Sequence, residues 1–174
     1  IDAILERARD TNSINRRLVF SRISKEIGDF RRIDFRHREN LLRWGLYDRD
    51  ESVRNCAIKM LSLFWMACVN NDIYELVEQL RVIDSEISSE AMLALYKARP
   101  DISSSILIPA ETWKELTTDK AFIIRTFYEH CNNSNLYNLI ERNYPESLEL
   151  AQTLDKYLNL RSKIIESNLD LVMD

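Results

Sequence analysis

One local pattern, an aspartate followed six residues later by an arginine and then an apolar run, occurs twice in this chain at a fixed offset. Asp10 with Arg16 recurs as Asp48 with Arg54, 38 positions on. In the same register Val19 matches Ala57, Phe20 matches Ile58, Ile23 matches Leu61, and upstream Ile4 matches Leu42 and Ala8 matches Leu46. Self-similarity at a period near 40 marks a stacked architecture. The chain's punctuation agrees. Its 174 residues include only two glycines, Gly28 and Gly45, and three prolines, Pro100, Pro109 and Pro145. Sheets and phosphate-cradling loops need more glycine than this, whereas long helices with short connections do not.

Apolar spacing predicts helices over about 2–9 and 14–27. Ile14, Leu18, Ile23 and Ile27 form the stripe of the second, with Val19 beside it, and Gly28 stops it. A basic connection, 29–34, carries Arg31 and Arg32. Helices over about 35–47 and 51–69 follow, the latter capped by Asp50 and ended at Asn70–Asn71. It is apolar on nearly every side, which predicts burial between neighbours. Further helices are expected over 72–81 and 88–98, closed by Pro100 and followed by a loop over 101–110. A short helix over 111–116 carries Trp113, and others cover 119–131, 135–143, 146–159 and 161–172. Two helices per period of about 40 is the HEAT or armadillo pattern. The predicted fold is an all-α HEAT-repeat solenoid of stacked antiparallel helix pairs. Its units cover about 1–28, 35–70 and 72–99, the third having lost the arginine, and less regular pairs span 111–174. A single pair cannot bury both its apolar faces, so pairs stack and leave a long concave binding surface.

Composition supports a packed core under a charged surface, with 45% hydrophobic and 30% charged residues. The net charge of −4 hides a division: residues 1–60 hold 14 Lys+Arg against 10 Asp+Glu, and the remainder holds 10 against 18. The longest apolar stretch, Met60–Val69, is about half a bilayer span, so no membrane partner is expected. No signal-peptide pattern opens the chain. It begins without Met, as a piece excised from a longer protein would. Cys56, Cys68 and Cys131 are an odd, scattered set, which suggests reduced, buried thiols in a cytosolic or nuclear protein.

No catalytic constellation is legible. His37 and His130 lack ligand-spaced partners, no nucleophile elbow, zinc-protease helix or phosphate loop occurs, and Asp48, Asp50 and Glu51 read as helix-start acids. No enzyme activity, metal or cofactor is expected. The arginines carry two readings. Arg9, Arg16, Arg17, Arg22, Lys25, Arg31, Arg32, Arg36 and Arg38 make the kind of array that holds phosphates without reading bases; equally, they are a solvated face paired with Glu26, Asp29, Asp34 and Glu39. Arg54, at the repeat's own arginine position, reads as a structural rung shared between units, and Arg17, unmatched in the repeat, as the better phosphate ligand. Trp44, Trp65 and most Tyr and Phe read as core. Trp113, near a loop, is a candidate anchor for a partner.

Several strings carry a family resemblance. RARDTNSINRRLVFSRISKEIGDF (7–30), RENLLRWGLYDRDESVRNCAIKML (38–61), IYELVEQLRV (73–82), ALYKARPDI (94–102), TWKELTTDKAFIIRTFYEHC (112–131) and LIERNYPESLELAQTLDKYLNLR (139–161) resemble the G-type HEAT-repeat subunits of condensin, its subunit 3 family, in fungal members. RWGLYDRDESVRN, with its Trp-Gly pair, is the most specific of these. The resemblance implies a non-catalytic scaffold of the nucleus and chromosomes, with a cytoplasmic pool, acting in mitotic chromosome condensation. It also implies binding to the kleisin subunit, through it to other condensin subunits, and to double-stranded DNA without sequence preference. The acidic total departs mildly from the DNA-binding picture. The alternative is a HEAT scaffold that holds proteins and no DNA.

Overall fold

The computed structural model describes residues 2–159. Every regular element among them is helical. Helices α1 (Asp2–Arg7), α2 (Ser13–Ile27), α3 (Phe35–Leu46) and α4 (Glu51–Lys59) come first. Helix α4 runs on through a π-helical turn, Met60–Trp65, into α5 (Met66–Cys68). Then follow α6 (Ile73–Leu80), α7 (Ser88–Ala98), α8 (Pro100–Ser105), α9 (Thr118–Asn133) and α10 (Tyr137–Asn143), with a further helical run over 147–159. The helix expected over 161–172 lies outside the described residues.

Local chemistry sets these boundaries. The side chains of Asn12, Asp34, Asp50, Asp72 and Thr117 each accept a backbone N–H of the helix that follows, filling donors a helix start leaves open. At Asp50 the hydroxyls of Ser52 and Ser13 and the Ser52 amide hold the carboxyl down to about 2. Helix α2 ends where Gly28 takes φ 73°, and α5 stops as Asn70 and Asn71 enter the left-handed region at φ 52° and 60°, which asparagine tolerates better than most residues.

Helix α1 packs on α2, α3 on α4, and α2 on α4, so the pairs are stacked. Helix α7 continues the stack against α3 and α4, and α9 packs on α6, α7 and α10. One core runs through all of them, with Val53, Ala57, Met60 and Leu61 of the central helix fully buried beside Leu76, Val77, Ala91 and Leu95. Gly45 sets the closest approach: a Cβ there would lie 2.4 Å from the Ala57 Cβ and 2.9 Å from the Phe20 ring. The basic connection is tied to this core by a short 3-10 turn, Phe30–Arg32, whose Phe30 ring stacks on Trp65 at 4.6 Å.

Four sequence expectations need correction. The buried face of α2 is Arg16, Val19, Phe20 and Ile23; Ile14 and Leu18 are 54% and 45% exposed. An internally satisfied arginine has turned the helix away from its most obvious stripe. Pro100 does not lead into a loop but opens α8, because a proline at the first helical position gives up only an N–H that would have had no partner. The fourth helix is not buried all round, since Leu63 and Phe64 on its π-helical turn reach solvent. Among the aromatics, Tyr47, Tyr74, Tyr128 and Tyr137 are also exposed rather than core.

Candidate functional site

The repeated Asp–Arg frame forms a clasp between the first two helix pairs. Arg16 is 6% exposed. Its Nε and Nη2 donate to the two carboxylate oxygens of Asp48 at 2.7 and 2.8 Å, and its Nη1 donates to the Asp10 and Thr11 carbonyls at 2.8 and 3.1 Å. The hydrogen bonds from Arg16 hold the Asp48 carboxyl below the usual range. Arg54 repeats the local half of this arrangement, its Nη1 donating to the Asp48 carbonyl at 2.7 Å.

Geometry divides the expected basic array. Arg16 is consumed by the clasp. Arg38 is buried, over the Phe30 ring and bonded to Gln79 at 3.2 Å. Arg31 is shared between Asp29 at 2.8 Å and Glu75 at 2.7 Å. Arg16 and Arg38 are withdrawn into the stack, and exposed Arg31 is neutralised by its two carboxylate partners. Arg9 lies at another edge, 5.7 Å over the Trp44 ring. Arg17, Lys25, Arg32 and Arg36 are exposed and, among the described residues, have no carboxylate within ion-pair range. Arg22 is exposed and meets Glu26 only at 3.9 Å. So α2, the connection after it and the first turn of α3 keep five accessible cations.

Two lysines that the sequence pattern did not single out extend this set. Exposed Lys59 takes the place of Ser21 in the 38-residue register, one turn on from Arg17, and exposed Lys97 follows after another 38. The repeat offset itself was the signal that could have found them. Their helices α4 and α7 pack together.

The remaining candidate residues are structural in setting. Trp113 is half-buried on the 3-10 turn Ala110–Trp113 and meets the Tyr144 ring edge-on at 5.7 Å. His130 is buried against Tyr96; burial, and then the charge of Lys97, lower its pKa. Cys131 is buried, with its thiol pushed up to about 11, while Cys56 and Cys68 are half-buried. Among the described residues no group of three or more His, Cys, Asp or Glu is placed to hold a metal ion, and no helix is long and apolar enough to cross a membrane.

No family model matches the chain. Individual relatives do. It is 41% identical over 160 residues to condensin complex subunit 3 of Saccharomyces cerevisiae, covering 91% of this chain and 16% of the relative. It is 38% identical over 162 residues to condensin complex subunit 3 of Schizosaccharomyces pombe, covering 92% and 18%. Among solved structures, the crystal structure of the S. pombe condensin Cnd3-Cnd2 subcomplex contains a chain that superposes with a TM-score of 0.84 at 37% identity, over 91% of this chain and 22% of that one. The chain thus spans about a sixth of the length of the curated relatives it matches. Sequence and fold together place it, over the length it spans, in the condensin complex subunit 3 family of HEAT-repeat proteins.

Proposed function

We propose that this chain is a non-catalytic part of a condensin HEAT-repeat subunit that holds double-stranded DNA without reading its sequence and binds the kleisin subunit of the complex, acting in mitotic chromosome condensation. Its place in the cell on this reading is the nucleus and chromosomes, with a cytoplasmic pool. Membership of the subunit 3 family supports the condensin role, and the Cnd3-Cnd2 subcomplex, a complex of a relative with a second subunit, supports the binding of a partner chain. For DNA, the observation that carries the reading is the exposed set Arg17, Lys25, Arg32 and Arg36, whose charged groups have no carboxylate within ion-pair range among the described residues, with Arg22 beside it. Guanidinium and ammonium groups in such a set neutralise phosphates and release counterions, which gives affinity that falls steeply with salt and varies little with sequence. Trp113 is kept as a candidate partner anchor, its ring half-open beside Tyr144.

The test is duplex binding by the full chain across a salt series. Changing Arg17, Lys25, Arg32 and Arg36 to Glu should weaken binding equally for unrelated sequences and flatten the log–log salt slope by about 0.9 for each phosphate that is no longer neutralised. An unchanged slope would remove DNA from this stretch. One observation favours the alternative, a protein-holding scaffold without DNA: three of the nine candidate cations, Arg16, Arg31 and Arg38, serve the fold instead. On that reading duplex is not retained at physiological salt.

A further inference from the structure

We infer that the cleft where the α1–α2 turn meets the α3–α4 turn is a docking site for an acidic linear peptide that carries a bulky apolar residue. This goes beyond the DNA reading and uses none of the five cations that carry it, although Arg9 belongs to the wider basic array read from the sequence. The cleft has a volume of about 510 Å³ and lies over the Arg16–Asp48 clasp. Its apolar surface is Ala8, Trp44 and Tyr47, and Tyr47 is 65% exposed although it belongs to a helix end otherwise packed into the core. Two cations border it with no carboxylate partner among the described residues. Arg9 lies 5.7 Å over the Trp44 ring, and Arg49 makes only a long 3.5 Å bond to the Thr11 carbonyl.

The acids in the cleft wall are already neutralised. Asp48 is held by Arg16, and Asp10 by Arg7 at 3.0 Å and Asn15 at 3.1 Å. What is left open is an aromatic surface between two guanidinium groups, the complement of a carboxylate-rich segment with an apolar side chain. A phosphate backbone would leave the apolar surface of Ala8, Trp44 and Tyr47 unused, whereas a peptide with an apolar side chain covers it. Two cations of the proposed DNA set, Arg32 and Arg36, are also remote from the site. Arg32 and Arg36 follow the far end of α2, whose 15 residues span about 22 Å.

The experiment uses the full chain and a short fluorescent peptide of Asp and Glu with a central Phe-Phe pair. Expected results are saturable binding with a change in Trp emission, at least about tenfold weaker binding in the Arg9→Glu, Arg49→Glu double variant, and a smaller loss in Tyr47→Ala. Circular dichroism checks that each variant is folded. Binding should be untouched by Arg32→Glu with Arg36→Glu, the pair that lowers duplex affinity, so the two readings fail separately. The inference is overturned if the folded wild-type chain does not bind the peptide, if the double variant binds it equally well, or if a single-stranded oligothymidine outcompetes it at the cleft.

Discussion

The first helix pair and the second are built on one frame, yet they are joined to their neighbours differently. Arg16 and Arg54 make the same bond to the carbonyl of the aspartate six residues earlier, at 2.8 and 2.7 Å. Arg16 goes further and grips the Asp48 carboxylate of the next pair with two hydrogen bonds. One offset beyond Asp48 stands Glu86, which instead takes Arg43 at 2.9 Å. Burial diverges too: Leu42 is 1% exposed while its counterpart Ile4 is 40% exposed. The repeated sequence therefore specifies the local arch, and the residue that happens to lie in the next pair decides whether the arch becomes a cross-link.

The largest way to break that comparison is Arg16→Ala. It leaves the Asp48 carboxylate, itself 7% exposed at the side chain, without its charge partner, and should cost about 3 kcal/mol in urea unfolding. Next in size is Gly45→Ala, because the register places the long side chain of Arg7 in the first pair where the second has no side chain at all. The 2.4 Å overlap with Ala57 should outweigh the gain in helix propensity, for a net loss of about 2 kcal/mol in the same unfolding series. Arg54→Ala removes one half-buried bond to a carbonyl and should cost about 1 kcal/mol. A loss equal to that of Arg16→Ala would mean that the cross-link adds nothing to the shared arch.

A pH series sharpens the same contrast. Asp48 has a folded pKa below its ordinary 3.8, chiefly through Arg16. The stability this contributes is present above that ordinary value and is lost as pH falls through the lowered one. The stability gap between wild type and Arg16→Ala should therefore be full at neutral pH and narrow below about 3.8, as read from unfolding midpoints along an acid series. The smallest effect is expected from Ile14→Ser, within about 0.5 kcal/mol, because that side chain lies in solvent. A loss as large as that of a core residue would restore the stripe read from the sequence.

Helix positions were largely legible because caps and stops are local: Asp50, Asp72 and Gly28 act on their own neighbours. The rotation of α2 was not. Hydropathy counts Arg16 as surface and Ile14 as core, whereas Arg16 is buried beside Val19, Phe20 and Ile23 with the distant Asp48 as its partner. The π-helical turn was equally hidden, since the apolar run MLSLFW reads the same in either winding. The basic character of the first third was plain, but which arginines stay open depends on Glu75 and Gln79, 44 and 41 residues away from Arg31 and Arg38. The cleft needed Tyr47 to face outwards, and an aromatic in phase with an apolar stripe gives no sign of that.

The π-helical turn at Met60–Trp65 has a consequence for how this chain tolerates editing. Its wider winding carries one residue more than an α-helical turn would need, with the Met66 amide donating back to Leu61, and the Ser62 carbonyl accepts Arg99 at 2.9 Å. Removing one residue elsewhere in a helix turns everything downstream by about 100°. Within Met60–Trp65 the helix holds a spare residue, so a single deletion there can be absorbed by rewinding, and the stretch acts as an expansion joint in the numbering of the stack.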